Sequence, residues 1–379
     1  MFKVSWLFDF STPVRLVAPR VERSPIFALA ISPSAKFLAS GGEYGVQLWS
    51  LKDYAPIATP ITSGLRGPTS SIAWLEREIG ETLVYGTALG WLGCWRQNST
   101  EFKELCAHRT GEGCEIASLA TDAGTCRIAS AARDGSIQVW TFNAEESLIS
   151  LFSVRLDRTT PICVAFKDNT TKDIFVFGIY DGERFVLRGN DGKILSRETT
   201  NIMMGRVAVS SKRRQYVLDN GMDGFDVRDL ENNAHVVRLP TDRVKVSRPK
   251  QVAFANDDTL VVGGSDHGVI YVFDRTTGIV LDKYTHSKGG LVQTIATHDI
   301  GDDIIIAGAT SGEGSDPYIS LWRYKVPRTA RSALLGNVVA TAYSLARFLR
   351  VLLVAVAYLW DIIGFIGIFC SLFPVWQTV

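Results

Sequence analysis

Residues Arg133 to Trp140 read RDGSIQVW, an Asp-Gly turn followed by a short strand that ends on tryptophan. Related stretches are GEYGVQLW (Gly42 to Trp49), LGWLGCW (Leu89 to Trp95) and HGVIYVFD (His267 to Asp274). SDPYISLW (Ser315 to Trp322) is a glycine-free version. YDGERFVL (Tyr180 to Leu187) and MDGFDVRD (Met222 to Asp229) are weaker copies. The closing residues fall at 49, 95, 140, 187, 228, 273 and 322, so the interval stays between 41 and 49 residues. A period of roughly 40 to 45 residues marks a propeller blade of four strands.

Two further strands precede each closing strand. The first of them is IFALAIS (26–32), SSIAWL (70–75), EIASLA (115–120), PICVAF (161–166), GRVAVS (205–210), KQVAFA (250–255) and VQTIAT (292–297). The second is FLASGG (37–42), LVYGTA (83–88), RIASAA (127–132), IFVFGI (174–179), QYVLDN (215–220), LVVGGS (260–265) and IIIAGA (304–309). All are short, rich in Val, Ile, Phe or Ala, and bounded by polar turns. Small residues late in the second strand (Ser40, Gly86, Ser130, Gly178, Gly263, Gly308) suit close packing between blades. A fourth, outer strand fits between repeats, as in APIATPI (55–61), LISLFSV (148–154) and IVLDKYT (279–285). The last repeat runs out of chain for its own. VRLVA (14–18) precedes the first blade and is expected to fill that gap, because ring closure removes exposed strand edges. The expectation is an all-β, seven-bladed β-propeller of four-stranded antiparallel blades over residues 1–326.

This cadence, with its Asp-Gly turn and terminal tryptophan, resembles the WD-repeat (β-transducin-type) propellers over roughly residues 14 to 326. The chain departs from that family's marks. Its repeats hold no Trp-Asp pair, and Phe273-Asp274 is the nearest match. The Gly-His dipeptide is also missing, with His286 as its best stand-in. The family's His–Ser/Thr–Asp–Trp bracing network is therefore reduced, with Asp134 and Trp140 keeping part of it in the third blade. A seven-bladed propeller of another family is the alternative.

With 40 basic and 39 acidic residues the net charge is +1, which gives nucleic-acid binding no support. The 46% hydrophobic content is enough for a large core. Six cysteines (94, 106, 114, 126, 163 and 370) form no CxxC pair, and the N-terminal stretch is broken by Asp9 and Arg15. A reducing, cytosolic setting for the propeller follows, without a signal peptide. In that setting the sequons at Asn98 and Asn169 carry no meaning. None of the five histidines falls in a metal-binding pattern, and Cys106, His108 and Cys114 match no zinc-site spacing. GATSGEGS (308–315) lacks the lysine of a phosphate loop, and no GxSxG elbow occurs. The Asp-Gly pairs are explained by tight turns. First-strand residues are mostly Ala, Val, Ile and Leu, which argues against a propeller enzyme. No cofactor, metal or small-molecule substrate is expected.

After Lys325 the pattern stops. Arg328, Arg331, Arg347 and Arg350 decorate a linker, residues 327–350, and Val351 to Trp376 then contains one charge, Asp361. Twelve of the 20 residues from 351 to 370 are Val, Leu, Ile or Phe. On an insertion scale they contribute about −4 to −7 kcal/mol, against roughly +2.5 to +3.5 for a central Asp. Residues 351–376 are therefore expected to form a transmembrane helix, a tail anchor with the propeller on the cytosolic side by the positive-inside rule. A buried apolar helix packed on the propeller is the alternative. Asp361 is either an intramembrane interaction residue or a tolerated charge.

The turns that precede the closing strands gather on one propeller face, and there they place Tyr44, Trp91, Arg133, Tyr180, Met222 and His267. Exposed aromatic and Arg residues are typical interface anchors, although Trp91 and Tyr180 would also serve to cover blade edges. Arg243, Lys245, Arg248 and Lys250 form a basic cluster open to anionic lipid, to an acidic partner or simply to solvent. Lys212-Arg213-Arg214 reads as a solvated turn. The functional expectation is a non-enzymatic, membrane-anchored scaffold that presents a protein-binding face to the cytosol, at the endoplasmic reticulum or another endomembrane. The alternative is a membrane-traffic regulator acting on a small GTPase, because a cytosolic propeller on a C-terminal anchor resembles the coat-recruiting exchange factor in layout.

Overall fold

The computed structural model describes residues 13–17, 24–60, 64–98, 101–180, 182–200, 202–242, 248–310 and 317–326. These form seven four-stranded antiparallel sheets. Six run in simple sequence order. The third is representative: Ile116–Asp122, Arg127–Ala132, Ser136–Phe142 and Leu148–Arg155, from the inside outward. The inner strands of successive blades touch one another around the ring. The last, Val292–Ile300, touches the first, Ile26–Ile31. Residues 14–325 form a seven-bladed β-propeller.

The seventh blade is assembled from two distant parts of the chain. Val14–Leu16 pairs antiparallel with Ile319–Lys325, with Val14 opposite Leu321 and Leu16 opposite Ile319. Leu16 is buried in one cluster with Leu29, Leu38 and Trp49 of blade 1 and Ala307 and Leu321 of blade 7. Arg15 lies over the Tyr318 ring at 4.8 Å, and Tyr318 stacks on His286 at 4.5 Å. His286 Nδ1 and Ser320 Oγ share a hydrogen bond of 2.9 Å. Closure thus combines a three-residue strand, a buried leucine and a cation–ring–imidazole stack.

The closing aromatics show why the cadence folds this way. Trp49, Trp95, Trp140, Phe273 and Trp322 are all buried, each between its own sheet and a neighbour. Leu187 takes the same place in blade 4. In blade 5 the place falls to Arg228, which is half-buried and donates to the Asn233 carbonyl at 3.0 Å. Blade 3 keeps a hydrogen bond of 3.1 Å from Trp140 Nε1 to Ser130 Oγ. Asp134 does not join it; its carboxylate caps its own turn, accepting the Ser136 amide at 3.0 Å. Gly263 and Gly308 show what the small residues permit. A Cβ at Gly263 would lie 2.3 Å from the Phe225 ring of blade 5, and one at Gly308 would lie 2.3 Å from Ile270 of blade 6.

No helix among the described residues is long and apolar enough to cross a membrane. The linker 327–350 with Arg328, Arg331, Arg347 and Arg350, the segment 351–376 and Asp361 lie outside the described residues, as do Arg243 and Lys245.

Candidate protein-binding face

The turns between second and third strands, and the connections between blades, lie at the end of the sheets where the inner strands begin. Backbone hydrogen bonds tie the two sets together. The Arg133 amide, in the turn of blade 3, donates to the carbonyl of Glu115, which leads into the inner strand. This face therefore carries all six turn residues named from the sequence.

Their environments differ. Tyr44, Tyr180 and Met222 are 60%, 70% and 68% exposed. Arg133 is tied to Glu115, Nε to Oε2, at 2.6 Å. Trp91 is half-buried beneath the Arg66 guanidinium, 5.4 Å away. That guanidinium is held in place by Glu104 (Nη2 to Oε1, 3.0 Å) and by the Tyr85 hydroxyl at 3.0 Å. His267 is locked in a chain of hydrogen bonds. Its Nδ1 meets Asp266 at 3.0 Å, its Nε2 meets the Tyr271 hydroxyl at 2.7 Å, and that hydroxyl donates to Asp242 at 2.6 Å. Burial and the Asp242 carboxylate both hold the Tyr271 hydroxyl protonated, well above its ordinary range. Trp91 and His267 thus brace the turns of blades 2 and 6, whereas Tyr44, Tyr180 and Met222 are offered to solvent.

Further exposed apolar side chains share this face. Leu65 lies in the connection between blades 1 and 2, Leu89 in the turn of blade 2, and Met203 in the connection between blades 4 and 5. With Tyr44 they make two apolar sectors: Tyr44, Leu65 and Leu89 on blades 1 and 2, and Tyr180, Met203 and Met222 on blades 4 and 5. Water wets both sectors at a cost that a partner's surface would relieve.

Between them opens the central channel, whose mouth holds a cavity of about 530 Å³. A repeated irregularity decides what lines it. In five blades the register between first and second strands skips one residue: Phe27, Ser70, Ala117, Ile162 and Gln293. Such a bulge leaves a residue unpaired and re-aims its side chain; Phe27, Ser70, Ile162 and Gln293 line the cavity. In three of these blades the side chain after the bulge bridges to a neighbouring blade. Ser71 Oγ donates to the Ile116 carbonyl, Ser118 Oγ accepts the Val164 amide, and Thr294 Oγ1 donates to the Ile26 carbonyl, at 2.9, 3.1 and 3.0 Å. In blade 6 the register puts Gln251 in this place, and its Oε1 accepts the Ile295 amide at 2.9 Å. In blade 5 it puts Arg206 there. Arg206 reaches back across the mouth, its Nη1 donating to the Ala117 carbonyl of blade 3 at 2.8 Å and approaching that of Ile162 at 3.5 Å.

The mouth is consequently more polar than the Ala, Val, Ile and Leu of the first strands imply. Arg206, Gln251, Gln293, Glu115 and Ser70 all line it beside Arg133 and Tyr180. Recognising them from sequence requires knowing where each bulge falls, because a strand beginning GRVAVS does not announce which residue turns inward.

Of the basic residues named from the sequence, Lys250 is turned inward and those of the 212–214 turn are paired at the surface. Lys250 is 1% exposed and sits 3.2 Å from the fully buried Asp219, between blades 5 and 6. Asp219 also accepts the Lys250 amide at 2.8 Å and the Gly221 amide at 3.1 Å. Burial raises the Asp219 carboxyl above its ordinary value against the opposing pull of Lys250. Lys250 is therefore no lipid or partner contact, in contrast to one reading of its cluster. Lys212 pairs with Asp257 and Arg214 with Glu231, and Arg213 donates to the Asp257 carbonyl at 3.1 Å. Cys106 lies opposite Cys94 across paired strands of blade 2. No protein-family model matches the chain, and no curated protein matches it.

Proposed function

We propose that this chain is a non-enzymatic scaffold of divergent WD-repeat type, whose turn-bearing face binds protein partners. The observation that carries the reading is the exposure of Tyr44, Tyr180 and Met222 on that face, beside a channel mouth lined by bulged residues. Tyrosine rings bury much area and dominate interface energetics, and methionine's flexible thioether adapts to a partner's surface. The buried closing tryptophans and the Ser130–Trp140 hydrogen bond support the WD-type assignment. The apolar run 351–376 supports a membrane anchor, and the four arginines before it support a propeller on the cytosolic side.

The test of the face is affinity capture from cells with full-length protein and a Tyr44→Ala/Tyr180→Ala/Met222→Ala variant. The variant melts within a few degrees of the parent and loses specific partners. Partners retained unchanged would remove the reading. The anchor is tested by fractionating the full chain against a form ending at Lys325. The shorter form is expected to leave the membrane fraction, and equal solubility of the two would refute the anchor.

A further inference from the structure

Arg206 is unlike the other residues that bridge blades in the inner ring. Ser71, Ser118, Gln251 and Thr294 each satisfy one backbone group of the next blade with a neutral side chain. Arg206 instead sends a full charge across the channel mouth, to carbonyl oxygens of blades 3 and 4. No carboxylate among the described residues forms an ion pair with it. Its remaining donors, Nε and Nη2, have no partner there either, and the residue lines the 530 Å³ cavity. A guanidinium has five N–H donors in a planar fork, and two carbonyl contacts through one nitrogen leave most of that fork unused.

The surroundings make the charge expensive. Burial lowers the Arg206 pKa, Cys163 opposes it, and Arg133 and Glu115 add smaller effects that lower and raise it respectively. Arg133 is neutralised by Glu115 at 2.6 Å. Two cations and one anion leave a single uncompensated positive charge at the mouth, and it resides on Arg206. A half-buried charge of this kind is commonly paired. The mouth also supplies neutral donors: the Gln251 amide, whose oxygen alone is used among the described residues, and the Tyr180 hydroxyl at the rim.

We infer that the channel mouth receives the carboxylate of an Asp or Glu side chain from a protein partner, held by Arg206. The inference rests on the protein-binding reading above and names the chemistry of what enters the mouth. One unpaired positive charge matches a monoanionic carboxylate better than a dianionic phosphate. The free edge of a guanidinium matches a carboxylate's two coplanar oxygens. The apolar sectors on either side would take the flanking residues of the same peptide. Arg206 then acts as the charged centre of an interface whose surrounding contacts exclude water.

The test uses the full-length chain and a displayed library of random dodecapeptides, selected for binding and then synthesised singly. The expected binders share one Asp or Glu, and changing it to Asn or Gln weakens binding by about 30-fold or more. Arg206→Gln weakens the parent peptide to a similar extent and adds little to the loss of the amide-substituted peptide. The peptide-side substitution is read on unaltered protein, so it stands even if Arg206→Gln folds poorly. Binders without an acidic residue, or with an acidic residue replaceable by its amide within threefold, would overturn the carboxylate assignment. So would tighter binding on exchanging the acidic residue for phosphoserine. In each such case sensitivity to Tyr44→Ala, Tyr180→Ala or Met222→Ala shows that the binding face itself stands. A library yielding no binder sensitive to either set counts against both readings.

Discussion

Gly263 shows how far this fold depends on single side chains. Its missing Cβ leaves room for the Phe225 ring of the neighbouring blade, and that ring is fully buried and edge-on to Phe273 at 6.2 Å. The ring has nowhere to retreat. Gly263→Ala is therefore expected to destabilise the protein by about 1–3 kcal/mol through overpacking, seen as a lower urea midpoint at unchanged slope. Gly80, where a Cβ would meet nothing within 4 Å, opens a strand just after a turn, at positive φ, and supplies a control for backbone strain without crowding. The cysteines give a second residue-scale expectation. A hydrogen bond with the Cys94 thiol lowers the pKa of the half-buried Cys106, whereas burial pushes Cys94 well up and Cys163 to about 12. Iodoacetamide at pH about 8 should label Cys106 and spare Cys94 and Cys163 until denaturant is added; mapping the label by peptide mass checks this. Labelling of Cys94 in the folded protein would mean that blade 2 opens locally.

At the scale of strands and turns, the sequence was legible wherever an element repeats the same physical task. The closing strand has to bury a large side chain between sheets, so an aromatic returns on schedule at 49, 95, 140, 273 and 322. Blades 4 and 5, with Leu187 and Arg228 there, were the faint ones for that reason. The turn residues were legible as positions and not as roles. Turns of the same kind hold the exposed Tyr180 and the hydrogen-bonded His267, and what separates the two is partners such as Tyr271 and the sequence-remote Asp242. The inner bulges left no trace in the pattern, because skipping one residue changes pairing without changing composition. Arg206 stayed hidden on that account. The connection before blade 7 yields a pH prediction. Burial, aided by the charge of Arg15, lowers the pKa of His286 to about 4. The folded protein thus keeps a neutral imidazole at pH values where the unfolded chain takes up a proton. Its contribution is complete above about pH 6.5 and is lost progressively as pH falls toward 4, by roughly 3 kcal/mol in all. His286→Gln removes this part of the pH dependence. Urea titrations of both forms between pH 4 and 7 check it, and parallel curves would assign the acid sensitivity to carboxylates instead.

For the molecule as a whole, the ring is held by packing between blades and is closed without a covalent link. Leu16 is the one closing-strand residue fully inside the blade 1/blade 7 core. Leu16→Ala should cost about 2–5 kcal/mol. Much of that loss should appear as faster unfolding with blades 1 and 7 leading, which hydrogen exchange of the Ile319–Lys325 amides would report. If those amides exchange no faster than those of blade 4, the closure contributes less than its burial implies. The same pairing has a consequence in time. Val14 meets Leu321 across 307 intervening steps of chain. At about 5–20 residues per second of synthesis, the first strand waits roughly 15 to 60 s on the ribosome for its partner to be made. During that interval blade 1 has no neighbour on one flank, and Trp49 and Leu38 have half of their cover. A nascent propeller of this design spends most of its birth as an open spiral, and whatever shelters that open flank decides how much of the protein ever becomes a ring.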